Sequence, residues 1–248
     1  MSNSFSFNAV DMDDYGLVVT GASIPLTQLA SGIQLRDRAY AFDSYRPPLP
    51  INVEVNVTAA THTVLRTYID SIRGKLNWRV DKQLIFDNLS TRYWMARFNT
   101  LQGGFNGPLA WNGNIEFTCT DPAAYSTSAV SNTSNVDADP DTIAETPGGN
   151  DYIYPVFTLT AGELLTAVTI KVENVTTDEE LQFIGTVANG KALVINTATW
   201  IVTNDGTADM DDVSGKFPRL AAGVANSIKV TGFSTTGTLN IAYRNRYL

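Results

Sequence analysis

The chain has 248 residues, of which 44% are hydrophobic and only 17% charged, with a formal net charge of −8. That length accommodates one large β domain or two of ordinary size, and no run approaches the roughly 18 apolar residues of a membrane-crossing helix. The acid is concentrated: residues 1–125 carry 10 Lys and Arg against 11 Asp and Glu, residues 126–151 no base and 5 acids, and residues 152–248 carry 7 bases against 9 acids. A basic patch of the kind phosphate binding needs is missing, which argues against direct nucleic-acid recognition.

The start, Met1-Ser-Asn-Ser-Phe-Ser-Phe-Asn, has neither a basic opening nor an apolar core, so no signal peptide is expected and the chain is expected to fold in the cytoplasm of the cell that makes it. Phe5, Phe7 and Val10 alternate with polar residues, Asp11 to Asp14 make an acidic turn, and Tyr15–Gly21 reads as a short strand. Thr27–Asp43 reads as a loop with a strand near Ala39–Asp43. Arg46-Pro-Pro-Leu-Pro50 is too stiff for a helix or a central strand. Ile51, Val53, Val55 and Val57 then alternate with Asn52, Glu54, Asn56 and Thr58, the clearest strand pattern of the first half.

Val64, Leu65, Tyr68, Ile69, Ile72 and Leu76 recur at three- and four-residue steps, the stripe of an amphipathic helix. Thr61 or Thr63 would cap its start and Gly74 would end it, with Arg73 and Lys75 near the negative end of its dipole. Strands are expected at Leu84–Phe86, Tyr93–Phe98 and Ile115–Thr120. The last opens on a turn signal, Asn112-Gly113, and is stopped by Asp121-Pro122. Cys119 lies on the apolar face of that strand. As the only cysteine it makes no internal disulfide, and a buried core thiol is expected.

Residues 126–151 contain four Ser, four Thr, two Pro, five acids and no aromatic, and read as a linker or an arm that orders against a neighbour. Beyond them strands are expected at Tyr154–Thr160, Ala167–Val172, Leu181–Ile184, Leu193–Ile195, Trp200–Thr203, Ser227–Thr231 and Thr238–Arg244. Turn signals at Ala161-Gly162, Asn189-Gly190, Asn204-Asp-Gly206 and Gly223 separate them, the pattern of a β-sandwich.

Reactive chemistry is not assembled. His62, the one histidine, sits at the start of the helix in an exposed or capping position. The run Asn204–Asp212 is rich in Asp but lacks the spacing of a calcium loop. Tyr93, Trp94, Trp111, Trp200 and Phe217 fall in or beside strands and are expected to pack in cores rather than form a sugar-stacking platform. No phosphate loop or dinucleotide fingerprint appears. The expected set of catalytic, cofactor-binding and metal-ligating residues is therefore none.

Several stretches resemble one family. Phe7–Val19 is similar to the opening of the distal tail proteins of long-tailed, siphovirus-type phages. Lys82–Asp87 with Arg92–Ala96, and the strand ending Cys119-Thr-Asp-Pro-Ala-Ala-Tyr-Ser126, resemble their N-terminal domain. Tyr154–Leu159, Phe217–Gly232 and Ile241–Leu248 resemble their galectin-like C-terminal domain. The segment 126–151 departs from the family in being longer and more acidic.

The resemblance implies a mainly β protein. Residues 1–125 would be a β-sandwich-like, ring-forming belt domain with one α-helix, residues 126–151 an acidic linker, and residues 152–248 a galectin-like β-sandwich. It implies a structural protein of the virion tail, not an enzyme: a six-copy ring joining the tail tube protein to the tip or baseplate and to receptor-binding or side-fibre proteins. Ring contacts are expected from Arg46–Pro50 and a strand edge around Thr91–Gly104, with a neutral or acidic lumen. The competing expectation is an adhesin whose C-terminal sandwich binds host surface glycan.

Overall fold

The computed structural model describes residues 3–24 and 47–248; the strand expected near 39–43 and the loop containing it lie outside those residues. The chain divides into two compact units, Met1–Thr127 and Ser128–Tyr247. It is mainly β with one α-helix among the described residues, as the sequence patterns imply.

The first unit contains β1 (Phe5–Phe7), β2 (Val10–Asp11), β3 (Leu17–Ser23), β4 (Leu49–Thr58), α1 (His62–Leu76), β5 (Lys82–Phe86), β6 (Arg92–Phe105) and β7 (Ala110–Ser126). They form one antiparallel sheet in the order β2-β1-β5-β6-β7-β4-β3. The Val19 amide donates to the Asn3 carbonyl at 2.7 Å, which joins β3, at one end of that order, to the segment leading into β1. The core is an aromatic cluster: the Phe117 ring meets Phe5 at 5.8 Å and Phe7 at 5.3 Å. In α1 the stripe narrows to Leu65, Ile69, Ile72 and Leu76, whereas Val64 is exposed. Thr61 caps the helix, its hydroxyl accepting from the Val64 amide at 3.3 Å. Gly74 does not end it; the helix runs on to Leu76, and the Asn77 amide donates to the Arg73 carbonyl.

Three sequence expectations give way here. Asn112-Gly113 is not a turn but lies inside β7, paired with β6 and β4. The hairpin closes instead at Asn106–Leu109, where the Asn106 amide donates to the Ala110 carbonyl at 2.8 Å. Gly113 is needed for packing: an added Cβ would stand 2.0 Å from the Trp111 ring, and one on Gly103 would stand 2.4 Å from it. Nor does Asp121-Pro122 stop β7. The register jumps between Ala96↔Cys119 and Trp94↔Ala124, so Pro122 sits in an extruded bulge that asks no ladder bond of it. Asp121 steadies the bulge by accepting from the Ala123 amide at 3.1 Å and from the Tyr125 hydroxyl. Finally, Pro50 belongs to β4, paired with Thr118. The β3 pairing begins only at Asn52, so the missing N–H faces no strand among the described residues.

The second unit contains β8 (Val130–Val136), β9 (Asp141–Glu145), β10 (Val156–Thr160), β11 (Leu165–Asn174), β12 (Glu179–Val187), β13 (Ala192–Asn196), β14 (Ile201–Asn204), β15 (Thr207–Ala208), β16 (Val213–Gly215), β17 (Asn226–Thr231) and β18 (Gly237–Tyr243). Two antiparallel sheets, β15-β14-β13-β10-β18-β8 and β16-β12-β11-β17-β9, enclose one core that includes Phe157, Leu159, Phe183, Ile228 and Leu239. Asp205 and Gly206, both at positive φ, turn β14 into β15, as their sequence signals.

The segment 126–151 is not a linker. Its β8 pairs along the whole of β18, and its β9 pairs with β17, so it contributes a strand to each sheet. The physical reason lies at Glu145. This buried carboxylate on β9 accepts from the Tyr243 hydroxyl of β18 at 2.6 Å and from the Asn132 amide of β8 at 2.9 and 3.0 Å. Polar groups that satisfy one another can be buried without apolar area to announce them.

Candidate assembly surface

β6 is covered on its β5 side over three residues only, Lys82↔Ala96, Gln83↔Met95 and Leu84↔Trp94. Beyond Ala96 it pairs, among the described residues, with β7 alone. Because Asn106 bonds to Ala110, the alternation of an antiparallel ladder turns Gln102 and Gly104 toward β7 and Leu101, Gly103 and Phe105 away from it. The outward amides and carbonyls of those three residues face no strand among the described residues. An uncovered row of this kind is a template for another strand. Thus the edge expected over Thr91–Gly104 is closed at Trp94–Ala96 and, among the described residues, open past Arg97.

Two hollows follow this edge where α1 passes it. One of about 420 Å³ is lined by Arg73, Gly74, Asn77 and Phe98–Leu101. The other, of about 300 Å³, is lined by Arg66, Ile69, Asp70, Arg73, Gly103–Phe105 and Trp111. Arg73 belongs to both, so they run in line. Gly103 and Gly104 bring no side chain to the floor. At the open end Phe105 is exposed, its ring 5.3 Å from the His62 ring and 5.9 Å below the Arg66 guanidinium; Leu109 beside it is exposed too. The exposed His62 thus stands against an aromatic ring, and the cap is Thr61.

Reactive groups are not gathered here or elsewhere among the described residues. Cys119 is buried, and burial, with Asp81 and Asp121 adding, pushes its thiol up to about 12, which leaves it inert at neutral pH. No three His, Cys, Asp or Glu side chains cluster to hold a metal ion among the described residues. Glu179 is the most strongly engaged carboxylate. Burial pushes it up, but the Arg219 guanidinium, at 2.7 and 2.9 Å, and the Arg219 amide, at 2.8 Å, hold it below the usual carboxylate range. Asn174 and Asn226 continue that network with the Arg219 and Ala221 carbonyls, pinning the loop before β17. Of the aromatics, Tyr93, Trp94 and Trp111 are buried and Phe217 packs against the sandwich core. Trp200 departs from expectation: it is 68% exposed at φ +58°, because it closes the β13–β14 turn and the inward position falls to Val202.

The comparisons agree with this architecture. A family model described as the siphovirus-type tail component, C-terminal domain, matches residues 148–247. No curated protein sequence matches the chain. The crystal structure of the SPP1 Dit protein, described as a paradigm of the hub adsorption apparatus in phages infecting Gram-positive hosts, is similar with a TM-score of 0.76 at 16% identity, over 100% of both chains. Two structures of the phage p2 baseplate in its activated conformation, with Sr and with Ca, are similar at TM-scores of 0.51 and 0.50 and 9% identity, over 98% of each chain. At these identities the structural likeness is one of fold. Residues 148–247 thus match the C-terminal domain of the siphovirus-type tail component, in a chain whose fold is similar to that of SPP1 Dit.

Proposed function

We propose that this chain is a structural hub of a phage tail: a distal tail protein whose copies, six in number, close into a ring between the tail tube and the tip or baseplate. The first unit makes the ring. The second carries tip, receptor-binding or side-fibre proteins outward. The protein is made in the cytoplasm of the bacterial host and resides in the virion tail. The observation that carries this reading is the β6 edge, Leu101–Phe105, which no other strand among the described residues covers and which lies along the α1 groove. One strand edge receiving a different segment of the next copy is a heterologous contact, and such contacts generate rings when the rotation closes. The tail-component match of residues 148–247 and the hub fold support it.

Electron microscopy of the purified chain tests this directly. Rings are expected for the wild type and none for Leu101→Pro. Proline there removes only an outward-facing amide, leaving the β7 ladder intact. Single particles in the wild-type sample, or rings undiminished by the substitution, would overturn the reading.

A further inference from the structure

The two outer faces of the C-terminal sandwich differ in chemistry. On the sheet containing β11, the outward residues Lys171, Glu173, Glu180 and Lys229 are laced by ion pairs, Lys171 to Glu180 at 3.0 Å and Lys229 to Glu173 at 3.5 Å. That is an ordinary solvated face. On the sheet containing β10, the outward row through the middle reads Ala208, Thr203, Val194, Thr158, Asn240 and Thr133. The flanking rows, from Ile201 across to Ser131 and from Ala192 across to Asn135, likewise contain no Lys, Arg, Asp or Glu; charge meets the second row only at its corner, where Asp205, bonded to Ala192, is paired with Lys191 at 3.1 Å. Residues 128–247 hold 7 bases and 14 acids, so charge is plentiful and is placed elsewhere.

A face without charge is cheap to desolvate against a neutral partner. A protein partner would call for aromatic, Met or Arg anchors near its centre. This centre has none, but a dense array of hydroxyls and amides, each able to donate and accept. Asn240 already binds sideways to the Ser131 and Thr133 hydroxyls at 2.9 and 2.8 Å, which fixes its orientation. Trp200 is the turn residue directly before Ile201, the first residue of one flanking row. The turn beneath it is held by Asn196, whose side chain accepts from the Ala198 and Thr199 amides at 3.1 and 3.2 Å, and by the Thr197 hydroxyl, which donates to the Pro155 carbonyl at 2.8 Å. A left-handed backbone at a bulky residue persists only where the surroundings enforce it, and here it keeps an indole in solvent. The apolar face of a sugar ring stacks on such a surface while its hydroxyls meet polar neighbours.

We propose that this uncharged face, with Trp200 at its rim, binds a neutral polysaccharide. The acidity of the rest of the unit disfavours an anionic one. The proposal stands independently of the hub reading, since it concerns a different unit and a different readout.

Affinity electrophoresis of the full chain through gels containing dextran, galactomannan or mixed-linkage β-glucan, with alginate as the anionic control, tests it. Retardation by at least one neutral polymer and none by alginate is expected. Trp200→Ala and Thr158→Lys should each weaken that retardation at least tenfold with an unchanged melting temperature, while Thr142→Lys on the opposite sheet should not. Free migration through all three neutral gels would overturn the proposal, as would retardation that Thr158→Lys leaves intact. Protection of this face from deuterium exchange by a tail protein, with free migration in the gels, would make it a protein-docking surface instead.

Discussion

Tyr243→Phe removes one oxygen atom and tests the join between the two sheets of the sandwich. The Tyr243 hydroxyl donates to Glu145 at 2.6 Å, both side chains are buried, and β18 and β9 lie in different sheets. Without the hydroxyl, Glu145 keeps only the Asn132 amide. A hydrogen bond to a charged acceptor contributes roughly 1.5–3 kcal/mol. For a unit of this size, that lowers the melting temperature by about 5–12 °C. Calorimetry of the full chain should show the loss in the transition of the second unit, with that of the first unit unmoved. The pH dependence carries a second signature. Burial, with Glu145 adding, raises the Tyr243 hydroxyl above its ordinary value of 10.0. The folded form therefore resists ionisation. Its stabilisation is complete below pH 10.0 and is lost as pH rises through that value toward the folded one. Tyr243→Phe should lose less stability in alkali than the wild type. A melting temperature within about a degree of wild type, or identical alkaline profiles, would refute the reasoning.

In the first unit, Gly113→Ala would place a Cβ 2.0 Å from the Trp111 ring and 2.5 Å from the Gln102 carbonyl oxygen. It should cost roughly 1–3 kcal/mol in urea unfolding and shift tryptophan emission as the indole is displaced. In the second unit, Glu179 is held below its ordinary 4.5, so its contribution is present above that pH and is lost as pH falls through it toward the folded value. The urea midpoint of the wild type should drop more steeply on acidification below pH 4.5 than that of Glu179→Gln, and the two should converge in acid. Limited proteolysis should leave β8 and β9, Val130–Val136 and Asp141–Glu145, uncut until the sandwich melts, because both are paired into its sheets; rapid cleavage within either strand of the native protein would restore the linker reading.

What the sequence disclosed followed the apolar patterns. β4 alternates cleanly, α1 carries a stripe, and most strands of the sandwich lie between visible turn signals. What it concealed was burial by polar groups and backbone geometry. β9 buries Glu145, whose carboxylate is satisfied by Tyr243 and by the exposed Asn132 of β8, and β8 itself is polar and mostly exposed, so no apolar alternation appears. Asn112-Gly113 looks like a turn because glycine usually marks one, yet here it makes room for an indole. Asp121-Pro122 looks like a stop because a bulge of that size is invisible in composition. Trp200 looks like core because tryptophan usually is, and only the turn geometry turns it outward. The open part of β6 is half legible: the pattern predicts a strand over Tyr93–Phe98 and an edge as far as Gly104, but the continuation to Phe105 and the point where β5 ceases to cover it are matters of register.

Sedimentation equilibrium of the purified chain, run over a wide concentration range beside Leu101→Pro, tests self-assembly most directly. Wild-type mass should rise to a fixed multiple of the 26.9 kDa protomer, six copies, and the proline variant should stay at one. A wild-type chain that remains at one protomer mass at the highest concentration would contradict the account.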